Sequence, residues 1–133
     1  MGFTALQAAR LTDASRAQLD AWARAGLTAR GPEYGFDDLV AVRVVVALLD
    51  AGLSLSKIRP ALRHVHAAGG TVRLVTDGEA VWSCVTDGEL LAALARRPLA
   101  IVVDVSQFVG ATALAISAFD AEREGFVESL RVG

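Results

Sequence analysis

The chain has 133 residues, 53% of them hydrophobic, and a formal net charge of −2. That length suits one medium domain or two very small ones, and the composition excludes intrinsic disorder. The longest charge-free run, Val105 to Phe119, carries Ser, Gln, Gly and Thr and falls short of the roughly 20 residues a membrane span needs.

The first expected helix runs from about Thr4 to Leu11. Thr4 is its N-cap, and Gln7 three residues later completes a capping box. Leu6, Ala9 and Leu11 are expected to face inward. "TDAS" forms a turn, and Ser15 caps a second helix with Leu19, Trp22 and Ala23 on one face. Gly26 ends it in the C′ position. Two short helices joined by a tight polar turn make a helix-turn-helix pattern. Leu27 to Phe36, "LTARGPEYGF", reads as a short hairpin or loop, with Gly31-Pro32 as the turn and Arg30 and Tyr34 near its tip.

A strong helix follows from Asp37 or Asp38 to Ala51. Its expected buried stripe is Leu39, Val42, Val46 and Leu49, and the acidic start suits the helix dipole. Gly52 closes it. Ser54 caps a fourth helix, with Leu55, Ile58, Leu62 and Val65 inward and a kink expected at Pro60. "AAGG", Ala67 to Gly70, is the boundary candidate. Beyond it two alternating runs, "TVRLVT" and "EAVWSCVT", flank Asp77-Gly78, a strong hairpin signal. Asp87-Gly88 reads as a second turn. "ELLAALARR" is a short helix stopped by Pro98, "LAIVVDV" a buried strand, and Ser106 to about Glu124 a helix weakened by Gly110.

The expected fold class is α+β. Residues 1–68 form a winged helix-turn-helix of four helices and a small hairpin wing, able to fold alone. Residues 69–133 form a small α/β region with a β-hairpin, a strand and helices. Charge divides along the same line. The first half carries eight basic and six acidic residues, for +2, and the second five and nine, for −4. Anion binding is therefore assigned to the first half.

The N-terminal half resembles the winged-helix DNA-binding domain of the MerR family. The family segment runs roughly Ser-x-x-x-Leu-Arg-Tyr-Tyr-Glu-x-x-Gly-Leu, and here it reads "SRAQLDAWARAGL". Ser15, Leu19, Gly26 and Leu27 match, and Trp22 replaces the second aromatic. "YGFDDLVAVRVV" is similar to the end of the family's wing. "LLDAGLSLSKIR", Leu48 to Arg59, matches the family element Leu-x-x-x-Gly-x-Ser-Leu-x-x-Ile. The chain departs from the pattern at Asp20 and Ala21, where the family has Arg and Tyr. It also lacks the long dimerising helix that follows the family's fourth helix.

The resemblance implies that the second helix enters the major groove of double-stranded DNA. Arg16 would donate two bonds to a guanine, and Gln18 would pair with an adenine. Ser15 caps the helix or touches phosphate, and Arg24 lies on the same helix. Arg30 and Tyr34 would meet the backbone or minor groove, and Arg43 would reach phosphate or pair with a neighbouring Asp. Trp22 is expected in the core. One module reads few base pairs, so a homodimer is expected, with residues 69–133 at the interface.

A single cysteine, Cys84, excludes an internal disulfide and any multi-cysteine metal site. His64 and His66, two apart on a helix, do not share a metal. No secretory signal is found, so the expectation is a soluble cytoplasmic protein with no membrane, metal or cofactor. No phosphate loop or nucleophile-base pattern points to an enzyme. Asp77, Glu79, Asp87 and Glu89 read as turn residues rather than a carboxylate site. A transcription regulator is the leading reading. The alternatives are an antitoxin, whose acidic second half sequesters a basic toxin, and an interaction module that has lost DNA binding.

Overall fold

A computed structural model describes residues 2–28, 33–68 and 71–132. Its elements, in chain order, are α1 (Ala5–Leu11), α2 (Arg16–Arg24), α3 (Phe36–Asp50), α4 (Leu55–Ala68), β1 (Arg73–Thr76), β2 (Val81–Cys84), α5 (Asp87–Arg96), β3 (Ile101–Asp104) and α6 (Val105–Val132). The α+β class and the N-terminal helical arrangement are as the sequence indicates.

Local chemistry sets the helix starts. Thr4 and Ser15 each cap their helix, and Gln7 and Gln18 answer with reciprocal capping boxes. Gly26 and Gly52 adopt positive φ, 73° and 97°, just beyond α2 and α3. Such values favour glycine because an L side chain would crowd the backbone. Within α1 the inward residues are Ala8 and Leu11. Leu6, expected inside, is 60% exposed, because Ala8 and Leu11 turn the opposite side of α1 to the core. The helix α4 continues through Pro60.

At its start α3 presents Asp37 and Asp38, and Asp38 accepts a hydrogen bond from the Gly35 N–H at 2.7 Å. The helix is buried well beyond the expected stripe. Val40, Ala41, Val44, Val45 and Leu48 join Leu39 and Val42 in the core, while Val46 and Leu49 are only half-buried. The cause is distant in sequence. On one side α3 packs against α4, and on another against α6.

The sheet is antiparallel with order β2-β1-β3. Leu74 faces Ser83 on one side and Val103 on the other, while Val75 faces Trp82 and Val102. Alternation sends these two sets to opposite faces. Leu74 and Val103 enter the main core with Val72 and Val105. The opposite face lies under α5. There Arg73 pairs with Asp87 at 2.7 Å, and the Arg97 guanidinium sits 3.4 Å from the centre of the Trp82 ring. The central strand β1 is accordingly buried on both faces.

Three local expectations change. Asp87-Gly88 opens α5 rather than a hairpin turn, because Thr86 accepts the Glu89 N–H and so caps a helix. The strand β3 is an edge strand, with Val103 buried and Ile101 and Val102 exposed. The helix expected from Ser106 to about Glu124 is longer: α6 runs 28 residues and follows the sheet, not α4 directly. It turns back onto α3 and α1, where Phe119 meets Phe3 edge-on at 6.1 Å and Arg10 pairs with Glu122. The core therefore continues across the boundary expected near residue 69, with Val72, Leu74, Val103 and Val105 in the same cluster as Leu19 and Val42.

Candidate nucleic-acid interface

The second helix is held on one side and open on the other. Leu19 and Trp22 are buried and fix it to the core, Trp22 as expected. Arg16, Ala17, Gln18, Asp20, Ala21 and Arg24 are exposed. The turn before it is rigid. Thr12 is buried, its hydroxyl donates to the Ala8 carbonyl at 2.8 Å and accepts from the Ala14 N–H at 3.4 Å. Ser15 then accepts the Gln18 N–H at 3.1 Å, and the Gln18 side-chain oxygen accepts the Ser15 N–H at 2.9 Å.

This arrangement sorts the expected contact residues. Arg16 has no hydrogen bond or ion pair among the described residues and stands at the first position of the helix, with all its donors available. Gln18 is exposed but already committed to the cap, so its amide meets a base only by sharing or releasing the Ser15 N–H. Ser15 is the cap. Arg24 is exposed, with its Nε donating to the Asp20 carbonyl at 3.3 Å.

Two expectations are corrected. Arg43 does not reach outward toward phosphate or an Asp: its Nη2 donates to the Leu11 carbonyl, and its Nε is buried without a partner. The side chain closes the C-terminal end of α1, where a cation suits both the orphan carbonyl and the helix dipole. Tyr34 is not at a solvated tip. It is 3% exposed, and its backbone exchanges both hydrogen bonds with Phe3, at 2.7 and 2.8 Å. Burial raises the Tyr34 phenol above its ordinary pKa, and the carboxylates of Asp20 and Asp38 push in the same direction. Tyr34 thus ties the segment before α3 to the segment before α1. Arg30 and the rest of the expected wing tip, residues 29–32, lie outside the described residues.

Sequence reasoning missed Arg59. From α4, its Nη2 donates to the Ala25 carbonyl at the C-terminal end of α2. Arg59 thereby does for α2 what Arg43 does for α1. Each helix of the pair is closed by an arginine from a later helix. No local signal announces either contact, since their partners lie 32 and 34 residues away.

The second half carries no competing site among these groups. Asp77 accepts the N–H groups of Ala80 and Glu79, which hold its carboxyl below the usual range and make it a turn anchor. Asp87 is occupied by Arg73, and Glu89 by Thr86. Burial, aided by Glu89 and opposed by Arg73, pushes the Cys84 thiol up, so it is held as the less reactive protonated form. Among the described residues no helix is long and apolar enough to cross a membrane, and no three His, Cys, Asp or Glu side chains converge on a metal position.

Comparison with known proteins bears on the first half most directly. Residues 3–65 match the family described as MerR HTH family regulatory protein. The chain is also 28% identical, over 144 aligned positions covering 98% of it, to an uncharacterized HTH-type transcriptional regulator of Mycobacterium bovis. A regulator of the same description from Mycobacterium tuberculosis shows the same identity. The chain spans 64% of the length of these relatives.

Proposed function

We propose, from the premise that residues 3–65 are a MerR-family helix-turn-helix domain, that this chain is a sequence-specific transcription regulator acting as a homodimer on double-stranded DNA in the cytoplasm. The observation that carries the reading is the first turn of α2. It is doubly capped, exposed, and headed by an arginine with free donors. A B-DNA major groove admits one α-helix, and residues at its N-terminal end reach base edges. Arg16 is assigned the bidentate contact to a guanine. Ser15 and Arg24 flank it toward phosphate, and Gln18 is the secondary reader because its oxygen serves the cap.

Asp20 places a negative charge where the family pattern has an arginine. Backbone attraction is therefore weaker on that side of α2, and the cations of Arg16 and Arg24 carry more of it. A single module of this size covers few base pairs, so two copies on a repeated half-site supply the affinity. The toxin-binding alternative rests on the acidic second half alone. In that half α6 and β3 pack against α3, and the antitoxin alternative shares the DNA-binding first half.

The test is a mobility-shift titration on the chain's own promoter region at several salt concentrations. Binding is expected to weaken with salt. Arg16→Ala is expected to cost about 1–3 kcal/mol, roughly 5- to 150-fold, on the preferred sequence and far less on unrelated DNA. An equal loss on all sequences would make Arg16 a phosphate contact. Unchanged retardation would remove it from the interface.

A further inference from the structure

The two edges of the sheet are treated differently. On the β2 side, α4 packs against the strand. On the β3 side, the strand carries Ile101 and Val102 at 51% and 39% exposure, with Leu99 before it at 95%. Edge strands are ordinarily guarded by a lysine, a proline, an inward charge or a covering element. None of these residues interrupts "LAIVV", Leu99 to Val103. The helix α5 packs over β1 and β2, which leaves the outer part of that face open at Val102.

The ladder shows which backbone groups are free. Val105 donates its N–H to the Val72 carbonyl, and the register continues through Leu74–Val103 and Thr76–Ile101. In an antiparallel ladder, pairs that exchange hydrogen bonds alternate with pairs that do not. Ile101, Val103 and Val105 therefore turn their N–H and C=O groups inward to β1. Ala100, Val102 and Asp104 turn theirs outward. The Ala100 N–H is used by the Arg97 carbonyl, so the outward row offers its carbonyl only there.

We infer that β3 pairs with β3 of a second copy of this chain across a two-fold axis at Val102, joining the two sheets into one of six strands. The pattern of groups permits self-pairing, and the opposite charges at the two ends of the strand favour a second copy as the occupant. With Val102 opposite the partner's Val102, each donates its N–H to the other's carbonyl. The Asp104 N–H then falls opposite the free Ala100 carbonyl of the partner, and the reverse holds by symmetry. The antiparallel arrangement also turns the Arg96–Arg97 end of one strand toward the Asp104 end of the other, bringing opposite charges together. Leu99, Ile101 and Val102 gain cover in the same step.

This inference sharpens the homodimer of the proposed function, and its readouts need no DNA. A regulator that fails to dimerise here and a dimer that fails to bind DNA are thus told apart. The first measurement is the solution mass of the full chain, expected at twice the 13.9 kDa subunit. Val102→Lys sets two like charges face to face, and the mass is expected to fall to one subunit with the far-ultraviolet spectrum unchanged. The second measurement does not depend on that variant folding. In a hydrogen-bonded antiparallel pair the Cα atoms are about 5.5 Å apart, a separation a disulfide spans. Val102→Cys is expected to form a disulfide dimer on mild oxidation, reversed by reductant. Ile101→Cys, two positions out of register with its own copy, is expected to remain uncrosslinked, as is the wild type with its buried Cys84. A wild-type chain of single-subunit mass overturns the inference. So does a dimer in which Val102→Cys fails to crosslink.

Discussion

Consecutive in the chain, α2 and α3 are held in opposite ways. Two of nine residues in α2 are buried, and seven of fifteen in α3, with Val46, Ala47 and Leu49 packed beside them. The ends of α2 are fixed by Ser15 and Gln18 on one side and Arg59 on the other, and its outer face is left free. Its neighbour α3 has almost no free face, because α4, β3 and α6 pack against it. A helix that is proposed to enter a groove is fixed here at its termini, without covering the surface it presents. A central element gains rigidity from packing, and it then depends on every segment that packs there.

The largest test of this contrast removes the packing and keeps the caps. A fragment ending at residue 68 retains all of α2 and its arginine clamp but strips α6 and the sheet from α3. Exposing a buried Val or Leu costs roughly 1.5–3 kcal/mol each. Several such losses exceed the roughly 5–15 kcal/mol by which domains of this size are stable. The fragment is expected to show helical content without a cooperative thermal transition. A sharp melt in calorimetry would mean that the first half is self-sufficient, as its sequence alone suggests.

A smaller effect comes from the caps. Ser15→Ala removes the side-chain acceptor for the Gln18 N–H, and about 1 kcal/mol of stability is expected to go with it, read from urea midpoints. Arg59→Met keeps the stem and removes the cation at the Ala25 carbonyl, with a smaller loss expected. If ends matter more than packing for α2, both variants weaken DNA binding beyond their effect on global stability. If stability falls and retardation does not, the caps serve the fold alone.

The same contrast explains what could be read from the residues. Whereas the Thr86 cap of α5 reads as a turn, the caps of α1 and α2, the stop at Gly26 and the Asp77-Gly78 hairpin are local, and each was legible within four residues. So was the family of the first half, whose motifs lie in short stretches around α2 and at the α3–α4 junction. The burial of Val40, Val44, Val45 and Leu48 was not legible, because the covering helix begins more than fifty residues later. The carbonyl partners of Arg43 and Arg59 were illegible for the same reason, lying 32 and 34 residues away in sequence. Leu6 and β3 were placed inside on hydrophobicity alone, which marks a residue as apolar without saying whether a partner arrives. Gly110 weakens the expectation for α6, yet the 28-residue helix runs through it at an exposed position with open space around it.

The smallest expected effect concerns where α2 meets the wing. Tyr34 is the chain's single tyrosine, so its ionisation is read directly in the ultraviolet without interference from a second phenol. Burial raises its pKa first, and the Asp20 and Asp38 carboxylates add to the rise. A proton held more tightly in the folded state than in the unfolded one stabilises the fold only while both states keep it. Stability from this group is therefore complete below about pH 10, the ordinary phenol value, and is lost as pH climbs through the higher folded value. An alkaline titration should show the phenolate band appearing late, and unfolding should bring it forward. Asp20→Asn removes the second contribution and should shift the transition part of the way down, leaving the larger burial effect in place. Ionisation at the ordinary value in the folded chain would mean that the ring is wet and that the segment around Tyr34 stands away from α2.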